Sequence, residues 1–153
     1  MWSSKRSLVL SLIVCFIVAG ALLVSLFVMP SIAVIYFGGW RGFSKDIVAK
    51  VISTVLTCYY PSAVLGLLAI ASLIKLLFNI KADKPFIGEN VLHLRVISWC
   101  CFLVAIICIM GAYVYYSLSF IAVAAMFVGL VLRVVKNVLQ AAVELKYEND
   151  LTI

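Results

Sequence analysis

His93 is the only histidine in this chain, and it stands in a polar stretch with no second histidine to share a metal and no obvious nucleophile to activate. A satisfied surface histidine is the expectation. The five cysteines, Cys15, Cys58, Cys100, Cys101 and Cys108, all fall inside apolar runs. They form no C-x-x-C pair and no Cys/His set with zinc spacing, so they read as small apolar packing residues. There is no phosphate-binding glycine loop, no H-E-x-x-H and no G-x-S-x-G; Gly38-Gly39 is a turn signal only. Transporters and proton pumps usually carry ionisable groups deep in their spans. Here Lys75 and Arg133 stand toward the ends of apolar runs, where snorkelling accounts for them. The expectation is a protein that is not an enzyme, with no catalytic residue, no metal and no cofactor.

Hydroxyls offer the one polar feature inside an apolar run. Ser53, Thr57 and Tyr60 recur at helical spacing just ahead of Pro61. Interhelical hydrogen bonds explain such a face, each contributing about 1 kcal/mol. The alternative is an intramembrane pocket beside the proline kink, built from Thr57, Tyr60 and Pro61. Ala21/Ser25, Ser62/Gly66 and Ala125/Gly129 have small-x-x-x-small spacing, which supports close helix packing within or between chains.

The elements that must hold these residues follow from composition. The 153 residues are 67% hydrophobic and 12% charged, with a mean hydropathy of +1.26. A soluble domain is about half apolar and about a quarter charged, and one this small leaves much of its surface in water. Lipid is the natural solvent. The net charge of +6 then speaks for orientation and anionic headgroups rather than for direct nucleic-acid binding.

A spanning helix needs about 20 apolar residues to cross about 30 Å. Spans are expected at about 8–29, 51–78, 96–116 and 119–137, with a polar loop at 79–95 and a tail at 138–153, all within one membrane domain covering 1–153. Pro30 follows the first run, and Tyr36, Phe37 and Trp40 suit an interface. Lys5 and Arg6 before an apolar run fit a signal peptide, but that core is about 7–15 residues long, and no charge appears from Ser7 to Phe37. A retained first span is the expectation. The Leu12-Ile13-Val14-Cys15 stretch lacks the small residue of a lipoprotein box. Ser117–Ser119 make a short turn, so the last two helices form a hairpin. Beyond it Arg133, Asn137, Gln140 and Glu144 recur on one helix face opposite an apolar one. That amphipathic helix either extends the fourth span or lies on the membrane.

Lysines and arginines assign the sides. Lys5 and Arg6, then Lys75, Lys81, Lys84 and Arg95, then Arg133, Lys136 and Lys146 share one side; Arg41, Lys45 and Lys50 take the other. Nine against three puts both termini and the 79–95 loop in the cytoplasm. The expected fold class is all-α: a polytopic four-helix transmembrane bundle with a cytoplasmic extension of the last helix.

Two segments are more specific than composition requires. One is Lys84-Pro85-Phe86, followed by Glu89-Asn90-Val91, Leu94-Arg95 and Ile97-x-Trp99; the other is Glu148-Asn149-Asp150-Leu151-Thr152-Ile153. With four apolar runs at these spacings, they resemble the bacterial YoaS-like family of small four-span membrane proteins of unknown function. Ile87 and Ser98 depart from that family's usual polar residue and glycine, and Ile87 weakens the expected helix cap. The resemblance implies no enzymatic activity. It also implies a cytoplasmic partner, because genes of that family commonly neighbour one for a small helix-turn-helix regulator. On physical grounds Pro85 fixes the backbone ahead of a helix, Phe86 inserts at the interface or under the helices, Asn90 caps locally, and Arg95 sits at the headgroups. The motif then either sets the entry of the third helix or joins Glu148, Asn149 and Asp150 in a docking surface.

The leading expectation is a bacterial cell-membrane protein that regulates or recruits a cytoplasmic partner such as a helix-turn-helix transcription factor. The alternative is a small transport or immunity protein holding a lipophilic compound or membrane-active peptide. The bilayer, a cytoplasmic regulator and a second copy of the chain are the expected partners.

Overall fold

A computed structural model describes residues 4–39, 42, 44–82 and 84–151. The side chains of Ser4, Lys5, Asp150 and Leu151 lie outside that description, as do Trp40, Arg41, Thr152 and Ile153 from the motifs and charges above. Four helices carry nearly everything described: α1 (Ser4–Gly38), α2 (Lys45–Lys81), α3 (Gly88–Ala112) and α4 (Leu118–Leu151). No strand occurs among the described residues. The shortest helix, α3, has 25 residues, about 37 Å at 1.5 Å per residue. All four are long and apolar enough to cross a membrane, so the expected all-α, multi-pass architecture is the one observed.

Helix boundaries differ from the apolar runs in instructive ways. Pro30 does not end the first helix; α1 runs through it to Gly38. Pro61 likewise sits inside a continuous α2. Proline is tolerated in membrane helices because neighbouring helices, hydroxyl side chains and local adjustment re-satisfy the freed backbone groups. Most of the 79–95 loop is helical, since α3 begins at Gly88. Only 82–87 connect α2 to α3. At the other end α3 stops at Ala112 rather than at Tyr116, and the turn is 113–117 rather than 117–119, since Leu118 and Ser119 already belong to α4. The amides of Val114 and Tyr115 both bond the Gly111 carbonyl, which turns the chain. Tyr115 thereby packs edge-on against Phe37 of α1, with ring centroids 5.4 Å apart. The tail from residue 138 to 151 is continuous with α4 rather than a separate helix.

Helix backbones pair in chain order: α1 with α2, α2 with α3, and most extensively α3 with α4. Start of α1, end of α2, start of α3 and end of α4 share one end, called the basic end below; the α1–α2 and α3–α4 connections share the far end. The α3–α4 seam is made of small residues. Ser98, Ala105 and Cys108 are buried on α3, and Ala122 and Gly129 on α4. A methyl on Gly129 would meet the Cys101 Cβ at 3.2 Å, so the absent side chain is what lets the two backbones approach. Leu118, Ala122, Cys58 and Cys108 form one buried cluster joining α2, α3 and α4. Two others join α1 to α2: Ala33, Phe37, Val51 and Val55 toward the far end, and Leu12, Cys15 and Leu77 toward the basic end. The cysteines thus serve as small core residues. Large side chains point outward instead, with Phe27 84% and Ile35 77% exposed on α1, as suits a surface solvated by acyl chains.

Candidate functional site

The Pro85-Phe86 segment is shaped by one side chain. Asn90, in the first turn of α3, is only 1% exposed. Its Nδ2 donates to the carbonyls of Lys84 at 3.1 Å and Pro85 at 2.9 Å, and its Oδ1 accepts from Asn79 Nδ2 of α2 at 2.9 Å. Asn79 also reaches Glu89 Oε2 at 3.5 Å. Asn90 is therefore a lock on the connection and not the expected helix cap. Capping it could not do, because its side chain is directed at carbonyls of the preceding loop. The N-cap position belongs to Ile87, which offers no side-chain hydrogen bond. Glu89 compensates electrostatically as an anion in the first turn.

His93 departs from the surface histidine expected. It lies on α3, its side chain 15% exposed, with Nε2 3.9 Å from Glu89 Oε1. That nitrogen is buried and makes no hydrogen bond. Among the described residues no three His, Cys, Asp or Glu side chains gather as metal ligands.

The lock places Phe86 beside the tail of α4. Phe86, Ala142, Leu145, Lys146 and Asn149 line one open groove. Phe86 is 45% exposed and Leu145 61%, and Glu148 is exposed beside Asn149. The two segments singled out by sequence therefore meet, through Phe86 and Asn149. Pro85 and Asn90 act behind the groove, in the lock. Arg95 lies elsewhere, in a second cavity between α3 and α4. The side chain of Asp150 lies outside the described residues. Measured from Arg95 and Arg133, α3 extends back about 10 Å to Gly88 and α4 forward about 27 Å to Leu151, at 1.5 Å per residue. The groove belongs to this projecting part.

The hydroxyl face of α2 splits in two. Thr57 and Pro61 line a shallow groove toward Ile107, Met110 and Gly111 of α3. Tyr60 does not join them and is 40% exposed. Its neighbour Tyr59 turns the other way, into an apolar cavity of about 320 Å³ whose walls come from all four helices, Phe37, Ser62, Cys108 and Leu118 among them. Tyr59 shares a hydrogen bond with Ser25 of α1. Ser25 Oγ donates to the Leu22 carbonyl at 2.7 Å, so Tyr59 is the donor of the pair. Ser62 donates to the Cys58 carbonyl at 2.7 Å, so the hydroxyls of Tyr59 and Ser62 are already engaged. Thr57 and Pro61 thus share a groove that Tyr60 does not line, and Tyr59 lines a separate cavity. The two tyrosines differ by one position, about 100° around a helix of 3.6 residues per turn.

The family model described as protein of unknown function, DUF2975, matches residues 7–153. No curated protein and no solved structure matches the chain.

Proposed function

This chain belongs to the DUF2975 family, and on that premise we propose that it is a non-enzymatic protein of a bacterial cell membrane that recruits or regulates a water-soluble partner at its basic end. The basic end faces the cytoplasm in this reading, with both termini, following the excess of lysine and arginine there. The finer likeness to the YoaS-like family belongs to the same proposal, and with it a small helix-turn-helix regulator as the partner. One observation carries the reading: Asn90 uses both amide hydrogens to hold Phe86 in place beside the α4 tail. A buried lock of this kind rigidifies a surface beyond what crossing the bilayer requires, and a preformed apolar anchor with a polar rim is what docking uses.

Copurification of the full chain from mild detergent tests it. A DNA-binding protein is expected with the wild type and lost from Phe86→Ala and from a chain lacking 148–153, with expression of neighbouring genes altered in the same variants. No enriched soluble protein, together with unchanged expression, sinks the reading.

The apolar cavity at Tyr59 favours a second reading, a small transport or immunity protein holding a lipophilic compound. In that case membrane-active apolar compounds raise the Tm of the detergent-solubilised chain, and Ser62→Phe, which fills the cavity, abolishes the rise. Equal shifts in both chains count against it.

A further inference from the structure

A second cavity, between α3 and α4 at the basic end, has a chemistry that neither reading uses. It encloses about 300 Å³ and is lined by Arg95, Ser98, Trp99, Arg133 and Lys136. Three of these five side chains are cations. None of the three makes an ion pair among the described residues. Like charges gathered at one cavity repel one another and raise the local potential, and an anion relieves both.

The three cations are placed by structure. Arg95 and Trp99 are one turn apart on α3, and Arg133 and Lys136 are three apart on α4, so each pair shares a helix face. The Arg133 guanidinium stands over the Trp99 ring at 5.5 Å and the Phe102 ring at 5.6 Å. Cation–π contacts with the two rings hold the guanidinium at this place. Ser98 donates to the Gly129 carbonyl at 2.9 Å. Its proton is spent on joining α3 to α4, which makes it a positioning residue for the cavity walls.

Depth selects the anion. The uncharged length of α3 begins at Val96, directly after Arg95, and that of α4 ends at Leu132, directly before Arg133. The cavity therefore stands where both helices pass from apolar to polar surroundings, beside a half-exposed Trp99. Cations and an aromatic ring at that level suit a phosphate whose other end is apolar. We propose that Arg95, Arg133 and Lys136, with Trp99 as the apolar wall, form a site for the phosphate of an anionic phospholipid headgroup.

Native mass spectrometry of the full chain in detergent, given phosphatidylglycerol, phosphatidylcholine of the same acyl chains, or inorganic phosphate, tests the assignment. Phosphatidylglycerol is expected to be retained over phosphatidylcholine. Arg95→Gln, Arg133→Gln and Lys136→Gln are each expected to lower its retention roughly fivefold, while Lys45→Gln at the far end leaves it unchanged. Equal retention of the two lipids, or no loss in the three variants, overturns the proposal. Complete displacement by inorganic phosphate also overturns it, in favour of a free-phosphate site. A chain with wild-type cations guards against misfolded variants: with Trp2→Phe and Trp40→Phe, Trp99 is the sole tryptophan. Its fluorescence in mixed vesicles is expected to be quenched more by brominated phosphatidylglycerol than by the brominated phosphatidylcholine. Equal quenching rejects a preferred anionic neighbour.

Discussion

Asn90→Leu is expected to lower the unfolding free energy by about 3 kcal/mol, read by denaturant titration or thermal melting in detergent micelles. Leucine has the same four side-chain heavy atoms in the same branched arrangement and is somewhat bulkier, so no cavity opens and the loss reports chiefly polar satisfaction. Two carbonyls, of Lys84 and Pro85, and the amide of Asn79 lose their partner at once. An unsatisfied buried group costs about 1–3 kcal/mol, and the exposure of Lys84 lets water recover part of that. Asn90→Asp separates charge from shape. Its carboxylate would face two carbonyl oxygens in a site only 1% exposed, so the introduced group's folded pKa is raised above its unfolded value. Its folded form is therefore favoured at low pH and loses stability as pH rises through that raised pKa. At neutral pH Asn90→Asp is expected to be less stable than Asn90→Leu, with the gap closing on acidification. A variant as stable as the wild type at all pH would show that the lock is unimportant.

Gly111→Leu is expected to have an effect as large, at the opposite end of α3. Gly111 is buried where α3 meets α2 and the start of α4. A methyl there would already fall 2.5 Å from Cys58 Sγ and 2.7 Å from Leu118 Cδ1. Overpacking of this kind costs about 1–3 kcal/mol for small additions, and a leucine forces α2 and α3 apart. Gly111→Ala is the graded version, expected to lose about 2 kcal/mol. Combining it with Cys58→Ala removes the nearer of the two clashing atoms, so the double variant should lose less than the two single losses added together. Strict additivity would show that Cys58 is not the obstacle.

Some of this was legible in the residues and some was not. Spans are governed by run length and charge, local properties that a single sequence displays, so the four helices were readable. The ends of α1 and α3 were not. Pro30 looks like a stop because in water it is one, and the last turn of α3 is unwound by Tyr115 finding Phe37, a contact 78 residues away in sequence. The task of Asn90 is not legible in the sequence, since its partner Asn79 sits 11 residues back across a turn. Tyr59 does not stand out from Tyr60 in the sequence because lipid-facing and core-facing surfaces of a membrane helix are equally apolar, and periodicity then cannot tell the inside from the outside. The cation cavity joins residues from two helices, and only the Ser98–Gly129 seam shows that they meet.

The pairing of helices in chain order has a consequence for how the molecule is made. Every backbone neighbour of a helix is the one just before or just after it, so the contacts are low in contact order, which favours fast assembly. As the chain is synthesised from its N-terminus, α1 and α2 can join before α3 has left the ribosome. Asn90 closes the connection between the α1–α2 and α3–α4 hairpins. An Asn90 variant is therefore predicted to accumulate as two separately formed hairpins, with proteolysis concentrated at residues 82–87, rather than as a generally unfolded chain.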